Sequence, residues 1–430
     1  MPEQMMLSEL LKIHRSLVDP RLTLDETFYY YNIPSFDECR KPEVSKGGQI
    51  ESSKFVVNVG DILISKLNPR IKRVWRVDNN QSFRSISSTE FVDVVSAFPA
   101  EREFLYHLLN SDVIYRELQR TSEGTTNSHV RFKADFLPTI TIQEFPPRDS
   151  WPGVAEILST VDEAIEQTEA LIAKTQQIKA GLMHDLFTRG VTPDGHLRPP
   201  REEAPHLYKE SPLGWIPKEW DAKTLSSLSS LITKGATPTT YGYNYVSDTT
   251  KGRARFLRAI NATPEGHYRD PDPRFISEEA HRMLSRSQLE AGDTVLSIVG
   301  ARVGTSFSVD ATMLPANINQ NVALIRSDLT QVCPAFVSLC VSSNIVQDAI
   351  LNLATTQAQP SLSLRQISDL CLPIPTLIEQ KSMVCAAETL ADSASLLRAD
   401  KDKLSSIKVG LMHDLLTGRV QVKVSEPSTA

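Results

Sequence analysis

Ile178-Lys179-Ala180-Gly181-Leu182-Met183-His184-Asp185-Leu186 returns as Ile407-Lys408-Val409-Gly410-Leu411-Met412-His413-Asp414-Leu415, 229 residues further along and identical at eight of nine positions. A repeat of that kind marks a chain built twice on one plan, so it sets the architecture before any single motif does. Fainter matches precede it in the same order. Gly60-Asp61-Ile62-Leu63-Ile64-Ser65 corresponds to Gly292-Asp293-Thr294-Val295-Leu296-Ser297, an offset of 232 that also carries Ile86 onto Ile318 and Phe104 onto Phe336. Phe28 to Ile33 resembles Phe256 to Asn261 in apolar pattern. Each copy reads as a globular mixed unit followed by a long helix.

Both helices carry an apolar stripe advancing in threes and fours. The first runs Ile157, Val161, Ile165, Thr168, Ile172, Thr175, Ile178, Leu182, Leu186; the second runs Val384, Ala387, Leu390, Ala394, Leu397, Leu404, Ile407, Leu411, Leu415, interrupted by Lys401. A helix of about 30 residues cannot bury such a stripe alone, so the two are expected to pair as a coiled coil; the alternative is that each folds back on its own unit. Gly181 and Gly410 would permit close helix approach, and His184 and His413, near helix C-termini, read as structural rather than catalytic. After Thr188-Arg189-Gly190, six prolines from Pro193 to Pro217 read as a semi-rigid connector. Within the globular units, Phe55 to Leu67 and Thr294 to Val309 are β-rich, whereas Glu101 to Gln119 and Pro334 to Leu353 have helical spacing. The fold class is therefore mixed α/β with a pseudo-twofold internal repeat, its strand order open.

Composition narrows the function classes. At roughly 150 residues per domain, 430 residues allow about three units, and 40% hydrophobic content supports more than one core. Five cysteines without a C-x-x-C give neither a zinc framework nor a disulfide ladder, which fits a reducing cytoplasm. No apolar run approaches the ~18 residues of a membrane span, and the N-terminus lacks a basic segment followed by an apolar one, so no membrane association is expected. The net charge of −6 disfavours nonspecific coating of nucleic acid but says little about local grooves. Catalytic motifs are missing: no G-x-x-x-x-G-K-[ST], no G-x-G-x-x-G after a strand, no G-x-S-x-G, no H-E-x-x-H. Gly300 to Ser306 has the wrong spacing and no lysine for a phosphate loop.

Four polar stretches suit DNA. Lys66, Asn68, Arg70, Lys72 and Arg73 lie in one run of eight residues, and Lys251, Arg253 and Arg255 in another; such clusters fit phosphate contacts, as does Arg302. Thr125, Thr126, Asn127, His129 and Arg131 follow the first unit's helix, and Thr356, Gln357, Gln359, Ser361 and Arg365 follow the second's. Asn and Gln pair bidentately with adenine and Arg with guanine in the major groove, so these segments are candidate readers of base edges. Their places correspond while their residues differ. Tyr241, Tyr243 and Tyr245 belong to the second reader or pack a hairpin.

Leu372-Pro373-Ile374-Pro375-Thr376-Leu377-Ile378-Glu379-Gln380, Gly214-Trp215-Ile216-Pro217-Lys218-Glu219-Trp220 and the two Ile-Lys-x-Gly-Leu-Met-His-Asp-Leu helix ends, set in a two-copy plan, resemble the specificity (S) subunit of type I restriction-modification systems. The first copy departs from the pattern: Leu137-Pro138-Thr139-Ile140-Thr141-Ile142-Gln143-Glu144 lacks the second proline and the Glu-Gln pair, and the N-terminus lacks the Trp-Ile-Pro-Lys-x-Trp element. The resemblance covers essentially the whole chain. It implies two tandem target-recognition domains (1–150 and 214–375) separated by two spacer helices (151–190 and 376–420) packed as an antiparallel coiled coil, with a Pro-rich linker at 191–213 and a flexible tail at 421–430. By the same resemblance the chain is not an enzyme and binds no cofactor or metal. It would bring two methyltransferase (M) subunits and restriction/translocase (R) subunits, which carry the S-adenosylmethionine, ATP and Mg²⁺ chemistry, to double-stranded DNA in a prokaryotic cytoplasm. About 30 helical residues span roughly 45 Å, against ~34 Å between successive major-groove faces, so the expected target is bipartite and, because the loops differ, asymmetric. Two other readings stay open at this point: a catalytic DNA-modifying enzyme with unrecognised motifs, and a coiled-coil adaptor that does not touch DNA.

Overall fold

In the computed structural model, residues 4–78, 82–122, 130–263, 266–354 and 360–422 are described. Contacts divide the chain into two compact units, one of residues 1–170 with 398–430 and one of residues 171–397.

The first unit holds strands β1 (Leu11–His14), β2 (Thr27–Tyr31), β3 (Ile62–Ser65), β4 (Val74–Arg76), β5 (Arg84–Ser87) and β6 (Phe91–Ser96). Antiparallel pairing orders four of them β1-β6-β3-β4, while β2 runs parallel to β5 in a second sheet. Successive side chains of a strand face opposite sides, and here both sides are buried. Ile62, Ile64, Val92 and Val94 join the core under helices α1 (Arg102–Leu109) and α2 (Asp112–Arg120). Leu63, Trp75 and Phe91 join Tyr31, Phe36 and Val57 on the other face.

The two-copy plan holds strand by strand. The second unit contains β7 (Ser229–Lys234), β8 (Ala254–Leu257), β9 (Thr294–Ser297), β10 (Ser306–Ser308), β11 (Ala316–Ile318) and β12 (Val322–Ser327). Its sheet runs β7-β12-β9-β10, with β8 parallel to β11, so each strand takes the place of the one six earlier. Leu296, Ala323 and Ile325 pack on helices α4 (Pro334–Val341) and α5 (Asn344–Leu353) through Phe336, Val337 and Ile350.

The two long helices are Trp151–Thr188 (α3, 38 residues) and Leu377–Leu416 (α6, 40 residues), longer than the stripe alone suggested. In the first unit the start of α3 (Trp151, Val154, Leu158) shares a core with the end of α6 (Leu415, Leu416). Lys408 pairs with Asp162 there, and Lys401 with Glu169 at 2.8 Å; one number rises as the other falls, so the segments run antiparallel. In the second unit the end of α3 (Leu186, Phe187) shares a core with Met383 of α6.

The stripe is only partly right. Val161, Ile165, Thr168, Ile172 and Thr175 are half-buried, and Ile178 and Ile407 are exposed (49% and 43%). Nothing lies within 4 Å of where a Cβ would sit on Gly181 or Gly410, so neither serves close approach. His184 and His413 are exposed, the latter meeting Arg419 at 2.6 Å.

One histidine is instead fully buried. His107 of α1 meets the Ser159 hydroxyl of α3 at 3.0 Å, and burial pushes its pKa down to about 4. An unfolded chain takes up a proton there below about 6.5 and the folded one does not, so this group's stability contribution is complete above pH 6.5 and is lost as pH falls toward 4, about 2 kcal/mol at pH 5. His107→Gln is expected to shrink the drop in melting temperature between pH 7 and pH 5; an unchanged drop would assign the acid limb to other groups.

Candidate nucleic-acid interface

In the first unit the β3–β4 hairpin presents residues 66–73. Asn68 holds a left-handed backbone (φ 48) and its N–H donates to Val130 at 2.8 Å, while Ile71 N–H turns back to Asn68 at 2.9 Å. A bridge pairs Leu67 with Arg131, placing the segment after residues 123–129 against the hairpin. Arg70 and Ile71 are exposed. Lys72 pairs with Asp112 at 2.6 Å. Lys66 is half-buried, and burial lowers its pKa. Arg131 forks onto Glu90 at 2.9 and 3.0 Å. Arg73 is a correction to the set: it is buried and forks onto Asp37 at 2.7 and 2.8 Å, so its charge is satisfied inside the fold.

The second unit repeats this arrangement with other side chains. The β9–β10 hairpin spans residues 298–305; Gly300 N–H donates to Pro360 at 2.9 Å, and Val299 bridges Ser361. Gly300 and Gly304 have φ near +90°, where Asn68 and Lys72 stand in the first hairpin. Arg302 is exposed and donates to the Ala262 carbonyl at 2.8 Å. Arg365 is the second residue of the short helix Leu364–Ser368, its side chain 92% exposed, 3.8 Å from Asp369. Thr125, Thr126, Asn127 and His129, and likewise Thr356, Gln357 and Gln359, lie outside the described residues.

The second cation run is not the counterpart of the first. Lys251, Arg253 and Arg255 lead into and lie on β8, while Arg302 reaches residues beyond that strand's other end. Arg253 and Arg255 form a separate patch: they lie 5.1 and 5.9 Å from the Phe275 ring, Arg255 is 3.3 Å from Asp270, and Tyr245 and Arg274 complete the same hollow. Tyr245 also packs on Phe256 at 5.6 Å, and Tyr241 is exposed.

The Leu372–Gln380 motif turns out to be an anchor. Glu379 is 6% exposed and accepts from Arg198 at 2.5 and 3.2 Å, from Val191 N–H at 2.9 Å and from the Trp220 indole at 3.1 Å. Gln380 caps Cys333 N–H at 2.9 Å and donates to Pro375 at 2.9 Å. One Glu-Gln pair thus ties the start of α6 to the linker, to the Trp-Ile-Pro-Lys-x-Trp element and to the helix Pro334–Val341. The first unit fastens α3 without it: Trp151 stacks on Phe104 at 4.5 Å, and its indole donates to Pro146 at 3.0 Å.

Comparison with known proteins agrees with this layout. The chain is 23% identical over 414 residues to the type I restriction enzyme MjaVIII specificity subunit of Methanocaldococcus jannaschii, covering 94% of this chain and 89% of that one. It is a homologue of type I restriction specificity subunits. The Escherichia coli EcoBI specificity subunit is 24% identical over 295 residues, 67% of this chain and 58% of the relative. The solved S subunit from M. genitalium shares the fold at TM-score 0.58 and 13% identity over 96% of both chains. A chain from a type I restriction-modification system studied for its complex assembly gives 0.54 and 18%, over 97% of this chain and 98% of that one. No family model matches.

For a homologue of specificity subunits, the placements sort the sequence-predicted residues. Each unit gathers its hairpin and the described flank of its polar segment: Lys66, Asn68, Arg70 and Arg131 in the first, Arg302 and Ser361 in the second. Sequence reasoning missed the partners of Glu379, since nothing in the local pattern connects Arg198 or Trp220 to it. Among the described residues no single helix is long and apolar enough to cross a membrane.

Proposed function

We propose that this chain is the specificity subunit of a type I restriction-modification complex, reading double-stranded DNA through both units and performing no catalysis itself. One observation carries the reading: four-stranded sheets of the same order present, at equivalent hairpins, Lys66 to Arg73 in one unit and Ile298 to Thr305 in the other. A scaffold that repeats while its presented side chains differ suits two unlike half-sites. Arg70 and Arg302 would anchor phosphates, and the segments at 123–131 and 355–365 would read base edges.

The partner surface is a second part of the proposal. Of the nearly identical nonapeptides, Leu186 and Leu415 are buried and explain themselves by packing. Ile178, Gly181 and His184, and their counterparts Ile407, Gly410 and His413, are exposed, and internal packing does not call for their identity. Duplicated exposed surface fits two copies of one partner, the methyltransferase subunit. S-adenosylmethionine chemistry would reside there, ATP and Mg²⁺ chemistry in the restriction subunit, and base flipping in the methyltransferase.

The test is duplex binding by the chain assembled with its methyltransferase. Arg70→Ala and Arg302→Ala should each weaken binding across all sequences and lower the slope of log K against log salt by about 0.9 per lost phosphate contact. Unchanged affinity and slope in both variants would remove these arginines from the interface.

A further inference from the structure

The first unit holds a charge arrangement that the second lacks. His14 of β1 lies opposite Asp93 of β6, and its Nδ1 stands 2.9 Å from Asp93 Oδ2; Asp61, just before β3, completes a group whose candidate ligand atoms all lie within 4.8 Å of one another. Asp61 is 5% exposed and Asp93 1%, and Asp93 Oδ1 has no hydrogen-bond partner. A buried carboxylate oxygen without a donor is costly unless a cation or proton meets it.

The counterpart in the second unit shows what the position needs. Asp61 and Asp293 are held alike: each accepts the N–H three residues before it, from Asn58 at 2.6 Å and from Glu290 at 2.7 Å. Asp293 is then neutralised by the fork of Arg326 at 2.9 and 2.8 Å. Strand register puts Val95 in the first unit where Arg326 stands in the second, Asp93 where Leu324 stands and His14 where Thr233 stands. The first unit has lost the arginine and gained a second carboxylate and an imidazole.

We propose that His14, Asp61 and Asp93 bind one first-row divalent cation of the Zn²⁺ or Mn²⁺ class, which supplies the positive charge that Arg326 supplies in the second unit. One imidazole nitrogen with two carboxylates is a donor set for such ions, whereas Mg²⁺ and Ca²⁺ prefer oxygen alone. The 2.9 Å separation is close to the edge of about 3.3 Å expected for a tetrahedral site with 2.0 Å bonds, so a small rotation admits an ion. The His14 side chain is 38% exposed, which leaves a route in.

The full chain, treated with chelator, is titrated with Mn²⁺ and with Zn²⁺ in a calorimeter and its bound metal counted. The expected result is one ion per chain for either metal, with affinity falling at least about tenfold in Asp93→Asn and in His14→Gln. Two results would overturn the site: no saturable binding up to about 1 mM, or unchanged affinity in both variants, which would move the ion elsewhere, for instance to the exposed Cys39 or Cys385. Should Asp93→Asn fail to fold, His14→Gln, at the more exposed position, decides alone.

Discussion

Glu379→Ala is expected to destabilise the second unit by about 4 kcal/mol, because it removes the buried counter-charge of the Arg198 guanidinium and leaves it the exposed Glu219. Arg198 is 6% exposed, and apart from the Arg189 carbonyl at 3.1 Å its remaining anionic contact is Glu219, whose side chain is 71% exposed. The Val191 N–H and the Trp220 indole N–H lose their acceptor as well. For a unit of this size each kcal/mol moves the melting temperature by roughly 2–4 °C, so the shift should be near 8–16 °C by thermal unfolding. Glu379→Gln keeps an acceptor and should fall between wild type and alanine. Gly190→Ala tests the same cluster from the backbone side. Its φ is +66, and a Cβ there would lie 2.3 Å from Glu379 Oε1 and from the Trp220 ring, so it should also be strongly destabilising. A Glu379→Ala protein melting within about 2 °C of wild type would show that the anchor does not hold the unit together.

Gly181→Arg and Gly410→Arg are expected to act in the opposite sense on the fold and severely on assembly. Each glycine lies within a long helix with open space beside it, so a side chain there removes glycine's helix penalty of about 0.5–1 kcal/mol, and its Cβ has no neighbour within 4 Å. Each substitution should leave the melting temperature unchanged or slightly raised. Size-exclusion chromatography with light scattering should then find one methyltransferase copy instead of two in either single variant, and none in the double variant. Two copies retained in the double variant would place the docking surface elsewhere.

The repeat, the two long helices and the β3 and β9 strands were legible because each leaves a mark in contiguous sequence. Hydrophobic spacing tells which residues share a helix face but not how far along that face a neighbour extends, so Ile178 and Ile407 read as seam and are exposed. A cation run tells charge but not burial: Arg73 looks like Lys72 on paper, and only the fold puts Asp37 against it. The same limit made Lys251 to Arg258 look equivalent to Lys66 to Arg73, although one run leads into a parallel strand and the other forms a hairpin. Glu379 with Arg198 and Trp220, and His14 with Asp61 and Asp93, are assembled from residues dozens to nearly two hundred positions apart. No local pattern announces such pairs, and they define the anchor and the candidate ion site.

The most direct test of the account maps methylated adenines across the genome of cells producing the chain with its methyltransferase. The account predicts a single split motif: two different half-sites with a fixed unread gap between them, one of which alone changes when residues 123–131 are exchanged for another sequence. A continuous or palindromic motif, or no new methylation from a stably assembled complex, would contradict it.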